Sequence, residues 1–327
     1  MNRWLNWSRE FLSLKVRFWG LFHAAGCLAM LGTAAGFLGR HAWWLDLGSH
    51  FRVQYVVLFA MLCGFYLIAR KWKWAGGAAL FCGLNLVPVL MLLFPPAGAA
   101  PPAGMKYRTL LINVNTQTGQ PEAVIEAINE ALPDFIVLEE INEEWMQALE
   151  PALTNYPHRA VESREDNFGI ALLSRRSWES AQVVYVGDAG VPSVTAQVML
   201  DYKPVLLIGT HPLPPGGAEY SAYRNNQLER LAELIRKADC PVLLIGDLNV
   251  SPWSYYFRKF LKESGLQNSS QGRGLFASWP AFAWPFRIPI DQVLHSANIR
   301  ILDKHIGRDV GSDHYPVVVD FDFALPP

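Results

Sequence analysis

Pro241-Val242-Leu243-Leu244-Ile245-Gly246-Asp247-Leu248-Asn249 is the stretch on which the reading of this chain turns. The apolar run Pro241–Ile245, closed by Gly246, reads as a buried strand. Its end delivers a carboxylate and a carboxamide, two residues apart, at the rim of a core. On extended backbone Asp247 and Asn249 point the same way, with Leu248 between them. A carboxylate beside a neutral amide suits holding a water, a metal or a phosphate oxygen.

The same kind of ending recurs outward from it. Tyr107–Asn115 reads as a strand closing on Asn113 and Asn115, and Asp134–Glu139 as one closing on Glu139 and Glu140. Pro204–Thr210 runs into His211, Asp291 interrupts Ile288–Leu294, and Asp313-His314 precede the strand Pro316–Phe323. Gly169–Ser174 and Ser193–Leu200 add strands. Helices are expected over Pro121–Leu132, with Pro in the first turn, and over Glu143–Leu149, Glu219–Ala238 and Ser254–Glu263. Many strands with fewer helices indicate an α/β (α+β) domain with more than one sheet. Carboxylates with two histidines and three asparagines, all entering from strand termini, are what metal-assisted hydrolysis needs. An oxygen-rich set with amides favours Mg²⁺ or Mn²⁺ over zinc. The sequence has no Cys/His cluster at zinc spacing, no Gly-x-Ser-x-Gly elbow, no Walker loop and no dinucleotide fingerprint.

The first third is of another kind. Residues 1–104 hold nine Lys/Arg and two acids, leaving 19 bases against 27 acids for the rest of a chain whose net charge is −1. Three apolar runs lie there, at about 18–39, 53–69 and 75–94, free of Asp, Glu, Lys and Arg. Each approaches the length that crosses a ~30 Å hydrocarbon core, so residues 1–94 read as a membrane region with three transmembrane helices. Seven Lys/Arg on the N-terminal flank and the second loop, against Arg40 and Arg52 in the first, place the N-terminus inside. Three spans then put the remainder outside, in the periplasm of a double-membraned bacterium. Trp4, Trp7, Phe11 and Leu14, with basic residues between them, form an interfacial amphipathic pattern or a helical extension of the first span. Residues 95–106 are a Pro/Ala/Gly linker. Only Cys240 of the four cysteines follows it, so no disulfide framework is possible there.

Seven segments in order, over residues 107–323, resemble the endonuclease/exonuclease/phosphatase family: Leu111–Asn115, Val137–Glu140, Gly169–Ser174, Thr210–Pro212, Gly246–Asn249, Ile290-Asp291 and Ser312–Pro316. The family includes deoxyribonuclease I, abasic-site endonucleases, inositol-polyphosphate phosphatases and neutral sphingomyelinases. The resemblance implies a four-layer αββα sandwich and a Mg²⁺-dependent phosphoesterase, here a membrane-anchored bacterial member. By that resemblance Glu140 is the principal metal ligand, with Asn113 and Asp313 as further metal or shell contacts. Asp247 positions or deprotonates the attacking water, and Asn249 holds it and a phosphate oxygen. His314, oriented by Asp291, hydrogen-bonds the scissile phosphate or acts as base, and His211 donates to the leaving oxygen. Asn115 stands where abasic-site endonucleases carry an aspartate, which removes one carboxylate from a second metal position.

Other residues read more plainly. Glu139 is a structural neighbour of Glu140 pointing to the other side, and Asp320 and Asp322 an exposed strand face. The aromatic loop Phe276–Ile290 borders the cleft; its rings either pack on the sandwich or, as Trp284 and Phe286, touch lipid or a base. Asn115 and Trp284 are thus the substrate-binding candidates. Two phosphodiester substrates fit, a lipid headgroup or nucleic acid; the acidic domain lacks the basic footprint of a DNA nuclease. A noncatalytic membrane scaffold would not need Glu140, Asp247, Asn249, Asp291, Asp313 and His314 together. Transport is opposed by the spans, which hold few strongly polar side chains, His23 and Asn85 among them. Oligomeric state is not encoded in these motifs.

Overall fold

The computed structural model describes residues 18–94 and 105–323. The linker residues 95–104 and the aromatic-basic pattern of Trp4, Trp7, Phe11 and Leu14 lie outside them. The N-terminal region is a bundle of α1 (Phe18–Phe37), α2 (Trp43–Leu47), α3 (Arg52–Ile68) and α4 (Trp72–Leu93). Among the described residues two helices, α1 and α4, are long and apolar enough to cross a membrane, where three were expected. The exception, α3, has 17 residues and opens on the buried Arg52. At 1.5 Å per residue it reaches about 25 Å, short of a ~30 Å core. Leu28, Leu31, Val57, Met61, Leu80, Val87 and Met91 are exposed on the outside of the bundle.

The rest contains β1 (Tyr107–Asn113), α5 (Pro121–Ala131), β2 (Phe135–Glu139), α6 (Glu143–Leu153), β3 (His158–Glu162), β4 (Ile170–Ser174), β5 (Trp178–Tyr185), β6 (Pro192–Leu200) and β7 (Lys203–Thr210). It continues with α7 (Ala218–Arg236), β8 (Val242–Asp247), α8 (Tyr255–Ser264), β9 (Gln267–Asn268), β10 (Asp291–His295), β11 (Ile299–Ile306) and β12 (Val317–Phe323). Two six-stranded sheets, ordered β11-β12-β1-β2-β4-β3 and β5-β6-β7-β8-β10-β9, pack face to face. Alternation along each strand builds the layers. Leu111, Val137, Leu207, Leu243 and Ile245 meet between the sheets, while Ile112, Leu138 and Val318 pack under α5 and α6, and Val242 and Leu244 under α7 and α8. Both faces of each sheet are covered, so the central strands read as continuous apolar runs. The architecture is the αββα sandwich.

Several local expectations change. Leu132, the last residue of the expected helix Pro121–Leu132, is instead exposed in a left-handed cap that ends α5. Asp322 is fully buried against Arg300 (Nε–Oδ1 2.8 Å), and Asp320 pairs with Arg108 (2.6 and 2.8 Å), so these acids hold β12 to its neighbours β1 and β11. β3, β5 and β11 are strands that the apolar pattern did not reveal. They are edge or near-edge strands, where one face tolerates polar residues, and β11 carries a register shift between Ile301 and Asp303.

The bundle docks on the sandwich through polar contacts. Asp46 of α2 accepts from the Ser254 hydroxyl (2.6 Å) and the Tyr255 amide (2.9 Å), satisfying the N-terminus of α8. The buried His50 accepts from the Ser251 amide on Nδ1 (3.2 Å), which orients the Ser251 hydroxyl as a donor to the same nitrogen (2.9 Å). Gln271 donates to the Met91 and Phe94 carbonyls (2.6 and 2.7 Å), and Trp253 to the Pro88 carbonyl (3.3 Å). The sandwich therefore sits at the end of the bundle where α1 finishes, α3 begins and α4 finishes.

Two predictions arise at this seam. Asp46→Ala strands buried donors and should cost about 1–3 kcal/mol, read as a lower melting temperature of the full chain in detergent and faster proteolysis between bundle and sandwich. Burial holds His50 down at about 4 against its ordinary 6.5. The unfolded chain therefore binds the extra proton first, and stability contributed by the neutral ring is present above about pH 6.5 and lost as pH falls toward 4. Protonation at Nδ1 also ends its acceptor role. Melting of the wild-type chain should fall more between pH 6.5 and 4.5 than that of His50→Gln; parallel curves would refute this.

Candidate active site

The site lies where β1, β2, β7 and β8 end and β10 begins. Asp247 and Asp291 are register partners across β8 and β10. Both share the inward parity of Ile245 and Val293, so their carboxylates face the gap between the sheets. Gly246 is required by close approach: a Cβ there would lie 1.9 Å from the Thr210 carbonyl oxygen and 2.9 Å from Glu139 Oε1.

Glu139 does not point away. Its side chain is fully buried beneath the site, and both oxygens accept from the Asp247 amide at 3.1 Å. Burial, then the Asp247 and Asp291 charges, hold its carboxyl well above the usual carboxylate range.

The extended reading of Asp247-Leu248-Asn249 is also corrected. β8 ends at Asp247, and Asn249 turns left-handed (φ 52°). Its amide donates back to Asp247 Oδ1 (2.8 Å), and its side chain donates to the Pro212 carbonyl (3.0 Å). The buried Arg224 of α7 grips the Asn249 carbonyl at 3.1 Å. Asn115 (φ 46°) and Glu140 (φ 59°) are left-handed too. Three candidate residues in this disfavoured region, at three strand ends, mark a site where conformation is imposed by the surroundings.

Two linked groups of side chains result. In the first, Asn113 donates to Glu140 Oε1 (2.9 Å) and accepts from the Asn115 amide (3.0 Å), and Asn115 donates to Asp313 Oδ1 (2.7 Å). In the second, His314 Nδ1 meets Asp291 at 3.0 and 3.2 Å, and its Nε2 stands 3.8 Å from Asp247 Oδ2. His211 Nε2 is 3.7 Å from the same oxygen, its ring tilted against Phe168 at 5.5 Å. The structure thus brings together Asn113, Asn115, Glu140, His211, Asp247, Asn249, Asp291, Asp313 and His314. Trp284 stands apart on the surface.

The two histidines are driven in opposite directions. Burial pushes His211 down to about 3, so the ring is neutral. Burial also opposes charge on His314, but Asp291, Asp247 and Asp313 outweigh it and push it up to about 10. Asp291 answers in kind: burial opposes its ionisation, yet His314 and the Ser278 hydroxyl hold its carboxyl below the usual range. Asp247 is pushed up to about 8 by burial and the neighbouring Asp291. Glu140 is raised by burial, with Asp313 and Asp291 adding to it.

Crowded carboxylates raised by one another are what a hard divalent cation relieves. Glu140, Asp313 and the Asn113 amide form one oxygen-rich end of the site, and Asp247, Asp291 and His314 can bring ligand atoms within 4.8 Å of one another. The residues fit such an ion.

Sequence reasoning missed four supports. The Ser278 hydroxyl donates to Asp291, the Trp279 indole to Asp313 (2.9 Å), the Thr116 hydroxyl to the Glu140 carbonyl, and the Ser312 hydroxyl to the Asn113 carbonyl (2.8 Å). Ser278 and Trp279 belong to the aromatic loop, but nothing local distinguishes them from its other members.

The chain belongs to the Endonuclease/Exonuclease/phosphatase family, whose pattern matches residues 110–314. The family is one of phosphate-ester hydrolases. Over 160 residues the chain is 28% identical to an inositol phosphosphingolipids phospholipase C of Saccharomyces cerevisiae, covering 42% of this chain and 34% of that protein. It therefore spans about a third of that relative's length. Solved structures share the fold. A humanized D. rerio TDP2 with 14 mutations has a TM-score of 0.54 at 17% identity, covering 66% of this chain and 99% of that one. Sphingomyelinase C from Streptomyces griseocarneus has a TM-score of 0.50 at 18% identity, covering 66% and 99%.

Proposed function

We propose that this protein is a membrane-anchored, divalent-metal-dependent phosphodiesterase. The observation that carries the reading is the convergence of Glu140, Asp247, Asp291, His211 and His314 at one end of two packed sheets, with both histidines facing the same Asp247 oxygen at 3.7 and 3.8 Å. Family membership and the phospholipase relative support it.

Asp247, held by Glu139 and Asn249, receives the proton of a water that adds to phosphorus. The imidazolium of His314, oriented by Asp291, meets the negative charge that develops on the phosphate oxygens. Neutral His211 donates a hydrogen bond to the ester oxygen that leaves, which takes a proton from bulk water and departs as the alcohol as the P–O bond breaks. Asn249 and Asn115 orient water and phosphate. Glu140, with Asn113 and Asp313, would hold Mg²⁺ or Mn²⁺, and such an ion supplies Lewis-acid charge to a phosphoryl oxygen.

The exposed apolar belt of the bundle supports membrane embedding. Although α3 is short of a full core, it returns between α1 and α4, both of which finish at the sandwich end of the bundle, and this supports opposite sides for the N-terminus and the sandwich. With the basic residues on the N-terminal side, the sandwich lies outside the cytoplasm, which a phosphatase fusion at residue 104, active only outside, would test. The surplus of acids in the sandwich favours a lipid phosphodiester over DNA.

The full chain in detergent, given Mg²⁺ or Mn²⁺, should hydrolyse bis(4-nitrophenyl) phosphate and stop on addition of EDTA. A folded chain inert toward that diester, supercoiled plasmid and phospholipid alike would remove the reading.

A further inference from the structure

We infer that a groove between α3 and the loop Trp279–Ile288 holds the acyl chain of a membrane lipid whose phosphodiester is presented to the active site. The inference rests on the phosphodiesterase reading and names its substrate class.

The groove encloses about 860 Å³, within the ~300–1,000 Å³ common for small-molecule sites. One wall is the first half of α3, where Val57 and Met61 lie one turn apart and are 52% and 59% exposed. The other is Trp284, Pro285 and Phe286, the two aromatics being 76% and 60% exposed. These rings do not pack on the sandwich. They are held open against the anchor helix by Gln54, which donates to the Arg287 carbonyl at 2.8 Å.

One short loop joins this groove to the chemistry. Trp279 donates to Asp313, the Ala281 amide donates to the Asp313 carbonyl (2.7 Å), and Trp279 pairs with Ile288 across the loop. Arg287 lies between the two regions. Its guanidinium donates to the Tyr315 hydroxyl (3.0 Å) and sits over that ring at 4.4 Å, beside His314 in sequence. An apolar volume thus leads through a cation to a phosphodiester site.

The occupant follows from three features. The groove opens at the end of the bundle nearest the sandwich and is continuous with the exposed apolar exterior of α3. That places it at the level where a bilayer's headgroups meet its chains, the depth at which Trp is enriched. A phospholipid is the class of molecule that carries an apolar chain and a phosphodiester together, and its local concentration there is high. A second protein segment would fill the apolar volume but offer no phosphodiester to the neighbouring site.

The test uses alkyl 4-nitrophenyl phosphates, methyl through octyl, kept monomeric, with the full chain in detergent and Mg²⁺. Wild-type kcat/KM should rise with alkyl length, by up to about fourfold per buried methylene. Val57→Trp on the helix wall and Phe286→Ser on the loop wall should each flatten that slope, lowering the octyl-to-methyl ratio tenfold or more. The ratio within one variant cancels any change in the folded fraction. A flat series in the wild type, or slopes unchanged in both variants, overturns the groove while leaving the phosphodiesterase intact. Plasmid nicked faster than every alkyl ester would also overturn it in favour of a nuclease. No hydrolysis of any diester by the folded chain would instead remove the reading on which the groove rests.

Discussion

Asp247→Asn will lower kcat/KM by about 10²–10⁴-fold, the range that proton transfer by a positioned group supplies. The substitution is nearly isosteric, and its side-chain oxygen can still accept from the Asn249 amide. What disappears is the basic carboxylate facing His211 and His314 at 3.7 and 3.8 Å. Unfolding does not explain the loss, because the sign of the stability change runs the other way. Asp247 is pushed up to about 8 by burial and Asp291, so the folded chain holds its proton more tightly than the unfolded one. The charged form therefore costs stability as pH rises above the ordinary carboxylate range toward 8. In chelator at pH 8 the variant should melt above the wild type, a trade of stability for activity. A variant that keeps more than a tenth of the wild-type rate would refute the role given to Asp247.

The second large effect falls on Glu140. Glu140→Gln keeps a side chain that can face Asn113 but removes the negative charge at the oxygen-rich end of the site. Activity at a fixed low Mg²⁺ concentration should drop by about 10²-fold or more, and half-activating Mg²⁺ should rise at least tenfold. A binding readout separates this from a chemical defect. Ligand at 100 times its Kd adds about 2.7 kcal/mol to folding stability, so Mg²⁺ or Mn²⁺ should raise the melting temperature of the wild type and leave the variant nearly unmoved. Equal rises in both chains would place the ion elsewhere, with Asp247, Asp291 and His314 as the next set.

Much of the site could be read along the chain because strand periodicity and strand ends are local. Runs such as Val242–Ile245 announce strands covered on both faces, and the polar residue that stops each run is forced to the rim of the core. Parity then aims Asp247 and Asp291 into the gap between sheets. The same logic failed where the backbone leaves the extended region. Glu140, Asn115 and Asn249 take left-handed conformations that alternation does not foresee. Glu139 reads as the outward member of its pair, yet Asn113 and Glu139 are register partners on parallel strands and Glu139 turns inward to hold Asp247.

The apolar runs, their order and their polar endings are properties of short segments: by themselves they determined an apolar N-terminal region and an α/β domain with more than one sheet, the family resemblance added the αββα sandwich, and the strand endings supplied the candidate residues of the site. Only the tertiary structure decided how these parts serve one another. Asp46 meets Ser254 across 208 positions, His50 meets Ser251 across 201, and the aromatic loop meets α3 across more than 200. Such contacts leave no periodic trace, because hydropathy records that a side chain leaves water and not which partner receives it. The pairing of the helical bundle with the rim that carries the candidate site, and the groove between them, come from two sheets and a bundle closing on one another in space.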